Sequence, residues 1–417
     1  MKKIAIIGAG ISGLSIAQLL HKKYKVTVYE SDSRPGGLIK CDCIQGNLFH
    51  RTGGHVFNTK RQDVFNWFWT FFNQEKEFVK ADRNSIISMP DKKLIPYPIE
   101  NHAYLFDEKT MKAFIEDLIN MAKAGKKESK NFEDFLRNQF GETLYKLYFQ
   151  PYNEKIWRKD LKHVPLSWLE GKLPMPTLNE IIFNNFIHLK EKSFVHSSFY
   201  YPIKGGSQFI ADRFAQELNI VYNTPIHQIA YTNNGWFVMN EYYDNVIFCG
   251  NVKELPKLMT GIDISGFYNE LSNLEAHGTT TVLCEIAPNP YSWIYLPSRE
   301  YMAHRIICTG NFSPSNNAAG KMTATIEFTD SISHDEILKN LSLMPFTPHY
   351  LAHNFAPYTY PIQHTATREI IKSLKAVLAP KGMFLLGRFA EWEYYNMDVA
   401  MGAAIDLNKS IYFNVLI

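Results

Sequence analysis

Cysteine is scarce in this chain of 417 residues. The five present, Cys41, Cys43, Cys249, Cys284 and Cys308, are too few and too scattered for a disulfide framework. Reduced thiols and a cytoplasmic location are therefore expected. Cys41 and Cys43 form a close pair, but no second pair follows at metal-ligand spacing, which argues against a zinc site. An excess of either charge is also missing, with Lys+Arg 44 against Asp+Glu 41. Such balance gives no global attraction for nucleic acid, so an anionic partner has to be recognised locally. The chain has no internal repeat, no low-complexity tract and no uninterrupted apolar span of membrane length. Its opening, MKKIAIIGAGISGLSIAQLL, mimics a secretory signal, yet three glycines interrupt the apolar run and no cleavage site follows.

Aromatic side chains, by contrast, are plentiful at 14%. They serve core packing and, in clefts, the stacking of planar rings. The length exceeds what one hydrophobic core usually accommodates, so two or three lobes are expected. KIAII reads as a short apolar strand, Ile11, Leu14, Ala17 and Leu20 recur at helical spacing, and KVTVYE reads as a second strand. The chain thus opens with a parallel α/β layer. Further on, Asn131 is a candidate N-cap for a helix carrying Phe132, Phe135, Leu136 and Phe140 at helical intervals. Alternating segments such as TTTVLCEIA and KMTATIEFT predict an antiparallel sheet. GMFLLGRFA near the end is again a buried strand. The predicted fold is α/β. A discontinuous Rossmann-like domain spans 1–102, 201–265 and 357–417, with a helical insertion at 103–200 and an antiparallel-sheet substrate domain at 266–356.

Gly8, Gly10 and Gly13, with Ile11 and Ser12 between them, lie between the first strand and the first helix. The first glycine permits the tight turn, the second lets backbone approach a pyrophosphate, and the third lets helix pack on sheet. Glu30, ending the next strand, is placed to bind ribose hydroxyls. The following ESDSRPGGLI, with Arg34, Gly36 and Gly37, resembles the amine-oxidase-like flavoprotein pattern. That resemblance implies FAD and a C-terminal segment that returns to cover the flavin.

The blocks RTGGHVFNTKRQDVFNWF, IPYPIENH, QPYNEKIWRKDLKHVPLSWLEGKLPMP, YPIKGGSQFI and SWIYLPSREYMAHRIICTGNFSPSNN follow in order. Together they resemble the UDP-galactopyranose mutase family from Ile4 to about Leu407. The resemblance implies an isomerase that interconverts UDP-galactopyranose and UDP-galactofuranose through a sugar adduct on N5 of reduced FAD, for cell-surface polysaccharide. NAD(P)H is a candidate reductant and a UDP-sugar the expected partner. Arg305 matches the family's diphosphate-clamping arginine, with Tyr295 and Tyr394 as tyrosines on the same group. His55 is placed beside the flavin, and Tyr152 and Trp157 are candidates for lining the nucleotide or sugar pocket. Gly387, Arg388 and Asp398 are assigned to the cofactor. Two positions depart from the family: Lys172 stands for a second diphosphate arginine, and Asn396 for an acidic residue near the sugar. The Arg305 clamp is expected on a movable loop, for which GNFSPSNNAAG, Gly310 to Gly320, is the candidate. Two alternatives stay open: an amine-oxidase-like oxidoreductase on the same FAD frame, and a mutase acting on another nucleotide sugar. The sequence leaves the oligomeric state open.

Overall fold

The structure, a computed structural model, describes residues 1–125, 127–166, 176–189, 198–232, 235–364 and 366–413. Its organising element is a five-stranded parallel sheet in the order Met383–Leu385, Asn245–Phe248, Lys3–Ile7, Lys25–Tyr29, Ile220–Val221. Ile4, Ala5 and Ile6 are wholly buried, as a central parallel strand covered on both faces requires. One face carries the helix Ile11–Leu20, packed against the final helix Met397–Phe413 through Leu14, Ala17, Met401 and Ala404. On the other face lie Trp236, Val238, Leu374 and Leu378. The fold is α/β with a Rossmann-like layer, as the glycine turn and its flanking strands predicted.

A helical lobe leaves this frame and returns to it. Asn131 caps its helix Phe132–Leu144, its side chain accepting from the Asp134 N–H at 2.9 Å. The predicted face of Phe132, Phe135, Leu136 and Phe140 is buried in one cluster with Trp157 and Tyr201. Gly141, at φ +83°, breaks the helix, and a π-helical turn at Tyr145–Phe149 leads into Gln150–Trp157. The wider turn stacks Tyr148 on Tyr152 with ring centres 5.3 Å apart.

The second sheet has seven strands, in the order His349–Pro361, Ala276–Glu285, Thr323–Thr329, Arg305–Ile307, Trp293–Tyr295, Ser85–Ser88, Leu94–Pro96. It is antiparallel except where Trp293–Tyr295 runs parallel to Ser85–Ser88. The division drawn from the sequence therefore cuts through it. Two strands come from the stretch assigned to the cofactor domain, and position 356 falls inside His349–Pro361. Strands of three or four residues carry too little alternation to reveal which sheet they join. Among the described residues no helix is long and apolar enough to cross a membrane.

Candidate active site

Where the first strand ends, Gly8 turns the chain and its N–H donates to Tyr29 O at 2.7 Å. A Cβ on Gly13 would run into Gly8 O, so the third glycine is what allows the helix to sit this close to the strand. Gly10 stands at the N-cap with no side chain bonded there, leaving the first turn of the helix to an outside acceptor. Gly36 N–H donates to Ala9 O at 2.9 Å, and a Cβ on Gly37 would come within 3.1 Å of Gly10 Cα. Gly387, at φ +106°, reaches the same place from the far end of the chain: a Cβ there would lie 2.6 Å from Ser12 Oγ. Backbone at Gly37 and Gly387 thus closes tightly on Gly10 and Ser12. Asp398 lies in the first turn of the final helix.

Three residues assigned to the cofactor are partly engaged with protein. Glu30 accepts from the Ala9 N–H at 2.6 Å and from the Asp32 N–H at 2.9 Å, so its carboxylate braces the glycine turn. Arg34 pairs with Asp42. Arg388 donates from Nη1 to Thr359 O at 2.9 Å and from Nε to Tyr395 O at 3.0 Å, and its guanidinium lies 4.7 Å from the centre of the Tyr394 ring.

The second sheet supplies the other wall. Tyr295 and Arg305 are direct cross-strand partners, placed on one face by the register. Arg305 pairs through Nε with Glu327 and donates from Nη2 to the Tyr360 hydroxyl at 2.8 Å. Tyr360 stacks on Tyr394, ring centres 5.6 Å apart and planes 8° apart. Tyr152 meets Tyr295 edge-on at 5.6 Å. Glu327 is 1% exposed. Burial raises its pKa, but the Arg305 charge and the hydrogen bonds from His304 and Arg305 outweigh burial and hold it at about 2. The site thus keeps a fixed cation under a rim of tyrosine hydroxyls.

His55 joins the two walls. A Cβ on Gly53 would lie 3.3 Å from Glu327 Oε1 and 3.7 Å from His55 Nε2. Burial, aided by the Arg388 charge and opposed by Glu327, lowers the imidazole to about 4, so the ring is neutral at ordinary pH. Its Nε2 is buried and has no protein partner among the described residues. An orphaned ring nitrogen near a glycine-built backbone cradle fits a bound polar ring system, as FAD would provide.

Arg305, Tyr295, Tyr152 and Tyr394 therefore come together, and His55 feels both Glu327 on their side and Arg388, the neighbour of Gly387, on the other. Trp157 does not join: it is buried against Phe132, ring centres 6.2 Å apart, in the helical core. Asn396 is exposed, its carbonyl accepting from the Ala400 N–H at the start of the final helix. Lys172 lies outside the described residues. The expected mobility of Gly310–Gly320 is not what the bonding shows. Ser313 Oγ donates to Ile203 O at 2.6 Å, Asn316 is wholly buried with Nδ2 on Thr309 O at 2.8 Å, and Asn317 Nδ2 donates to Gly310 O at 2.8 Å. Side-chain amides knit this turn shut, and Arg305 itself sits on a strand paired on both sides.

Sequence reasoning missed Glu327, Tyr360 and Arg83. Arg83 donates to the Tyr295 hydroxyl at 2.7 Å and lies 4.9 Å from the Trp293 ring centre. Glu327 carried a readable signal, an acid inside the apolar strand ATIEFT. Tyr360 and Arg83 carried none.

Residues 6–74 match the family described as NAD(P)-binding Rossmann-like domain. The UDP-galactopyranose mutase of Mycoplasma genitalium is 22% identical over 417 aligned residues, covering 95% of this chain and 92% of that protein. The resemblance to these mutases spans the chain. A crystal structure of reduced UDP-galactopyranose mutase superposes with a TM-score of 0.87 at 22% identity, covering 99% of this chain and 96% of that one, which fixes the fold. The dTDP-fucopyranose mutase of Escherichia coli is 30% identical over 183 residues, 42% of this chain and 46% of that protein.

Proposed function

We propose that this chain is a flavin-dependent isomerase of nucleotide sugars, interconverting UDP-galactopyranose and UDP-galactofuranose for cell-surface polysaccharide. The observation that carries the reading is the meeting of two walls at His55, which feels both Arg388 and Glu327: a backbone cradle at Gly10–Ser12 and a half-buried arginine rimmed by tyrosines. Gly8, Gly10, Ile11, Ser12, Gly13, Gly36, Gly37 and Gly387 would hold FAD, with Glu30 bracing the turn and Asp398 in the covering helix. Bound and reduced, FAD supplies the nucleophile for the anomeric carbon.

The chain's own residues supply positioning and charge. Arg305 offers planar, permanently charged donors for the diphosphate, which leaves with negative charge and must be held nearby for recapture. Glu327 fixes the plane of that guanidinium. The hydroxyls of Tyr295, Tyr360 and Tyr394 rim the same cation and can donate to phosphate oxygens, while the packed rings keep water from the sugar. His55, neutral and aimed from between the walls, offers Nε2 as a hydrogen-bond partner to the cofactor. Five free thiols support a reducing, cytoplasmic setting, in which NAD(P)H would serve as the reductant.

The test compares dithionite-reduced with oxidised protein on a panel of UDP- and dTDP-sugars, pyranose and furanose forms being separated by chromatography. Conversion only after reduction is expected. Equal turnover in both flavin states overturns the proposal, and flavin bleaching by an amine substrate favours an oxidoreductase. The match to the dTDP-fucopyranose mutase and the departures at Lys172 and Asn396 favour one second reading, a different nucleotide sugar, which the same panel decides.

A further inference from the structure

We infer that Lys155 is a positioning residue for this site: from the helix that carries Tyr152 it fastens both ends of the turn joining Tyr295 to Arg305. Lys155 Nζ donates to Leu296 O at 2.7 Å and to Ala303 O at 2.9 Å. Leu296 directly follows Tyr295, and Ala303 stands two residues before Arg305. The backbone also closes this turn, with Leu296 N–H donating to His304 O at 3.0 Å. Nζ also lies 4.7 Å from the ring centre of Tyr301, inside the turn.

A lysine at the rim of a protein ordinarily keeps its ammonium in water, because holding a long chain in one geometry costs rotamer entropy. Here the side chain gives up that freedom on the floor of a groove of about 550 Å³ lined by Pro151, Glu154, Arg299, Tyr301 and Lys339 among others. Burial, with the Arg299 charge adding to it, lowers Lys155 to about 7. Both protonation states carry at least two N–H groups, so both can make the two bonds. Tyr152 stands three residues earlier on the same helix face, and its ring meets Tyr295 at 5.6 Å. One helix turn therefore touches the Tyr295–Arg305 pair at its face and, through Lys155, at its connecting turn. The helical lobe is by this means locked in register with the sheet that presents the arginine. Arg299, bonded to Glu154 at 2.7 Å, adds a tie at the rim.

The inference rests on the proposed reading of Tyr295 and Arg305 as diphosphate-binding. It is tested on the full-length, FAD-loaded protein with Lys155→Met and Lys155→Arg, and with Lys155→Gln should the methionine variant fail to fold. Amide hydrogen exchange reports the turn at residues 296–304, and UDP titration reports the site without turnover. In Lys155→Met, exchange in the turn should quicken at least roughly tenfold and UDP should bind about tenfold more weakly, the loss of one or two charge-assisted hydrogen bonds. KM should rise more than kcat falls, flavin content should hold, and Lys155→Arg should regain most of the affinity. Unchanged exchange overturns the inference. Faster exchange with unchanged UDP affinity reduces Lys155 to a structural tie and overturns it as well. Wild-type protein that binds no UDP overturns the reading of the site itself, and the wild-type titration tells that failure apart from the other two.

Discussion

Arg305 and Glu327 depend on each other. Arg305→Ala should lower turnover by roughly a hundredfold or more, the scale of a lost electrostatic stabiliser, with flavin absorbance unchanged; wild-type kinetics would refute the assignment. Glu327→Gln should destabilise the protein by a few kcal/mol at most, about 1–3, because it leaves a half-buried guanidinium without its counter-charge, measurable by denaturant unfolding. The pH consequence has a definite sign. The Glu327 carboxyl titrates at about 2 in the fold against 4.5 unperturbed. Its contribution is therefore fully present above 4.5 and lost as pH falls from 4.5 toward 2. Thermal midpoints should drop across that window, and Glu327→Gln should flatten the drop. At this scale the sequence was legible where a residue belongs to a local pattern, as Gly13 does. Arg305 could be assigned only from the ordered series of blocks, since a lone arginine is ordinarily exposed. Tyr360 was out of reach, because its value lies in a partner 55 positions earlier in the chain.

Among the elements, the glycine turn and the segment that covers it are the most constrained. Gly387→Ala combines a left-handed φ of +106° with a contact of 2.6 Å to Ser12 Oγ, each costly to an L-residue. The variant should retain little FAD, read as the ratio of flavin to protein absorbance, while an alanine at the open Gly125 should leave flavin content as it was. Removing the cap with Asn131→Ala should cost about 1 kcal/mol, visible as a lowered denaturation midpoint with flavin retained. Helical periodicity found Phe132, Phe135, Leu136 and Phe140 correctly. It could not find the π-helical turn at Tyr145–Phe149, since that turn departs from the very period being counted. Nor did a string of Ser, Asn and Gly reveal that Gly310–Gly320 is knitted by its own amides, because the same residues build mobile and bonded turns alike.

Across the whole molecule, the parallel sheet takes its strands from the beginning, the middle and the end of the chain. The apolar strands near both ends of the chain were legible as buried strands; the sharing of Ser85–Ser88 and Leu94–Pro96 with the second sheet was not, because edge pairing is decided by tertiary contact. The cradle at Gly10–Ser12 closes only when Gly387 reaches Ser12 and the final helix settles on Ile11–Leu20. The order of synthesis thus opposes the order of assembly. The turn that would receive the pyrophosphate leaves the ribosome well before its cover, which is made nearly four hundred residues later. Chains ended before residue 383 should bind no flavin, as arrested nascent chains assayed for FAD fluorescence would show. Cofactor capture, on the proposed reading, would then report that Met383–Leu385 and Met397–Phe413 have both been made and have docked on the first strand and helix.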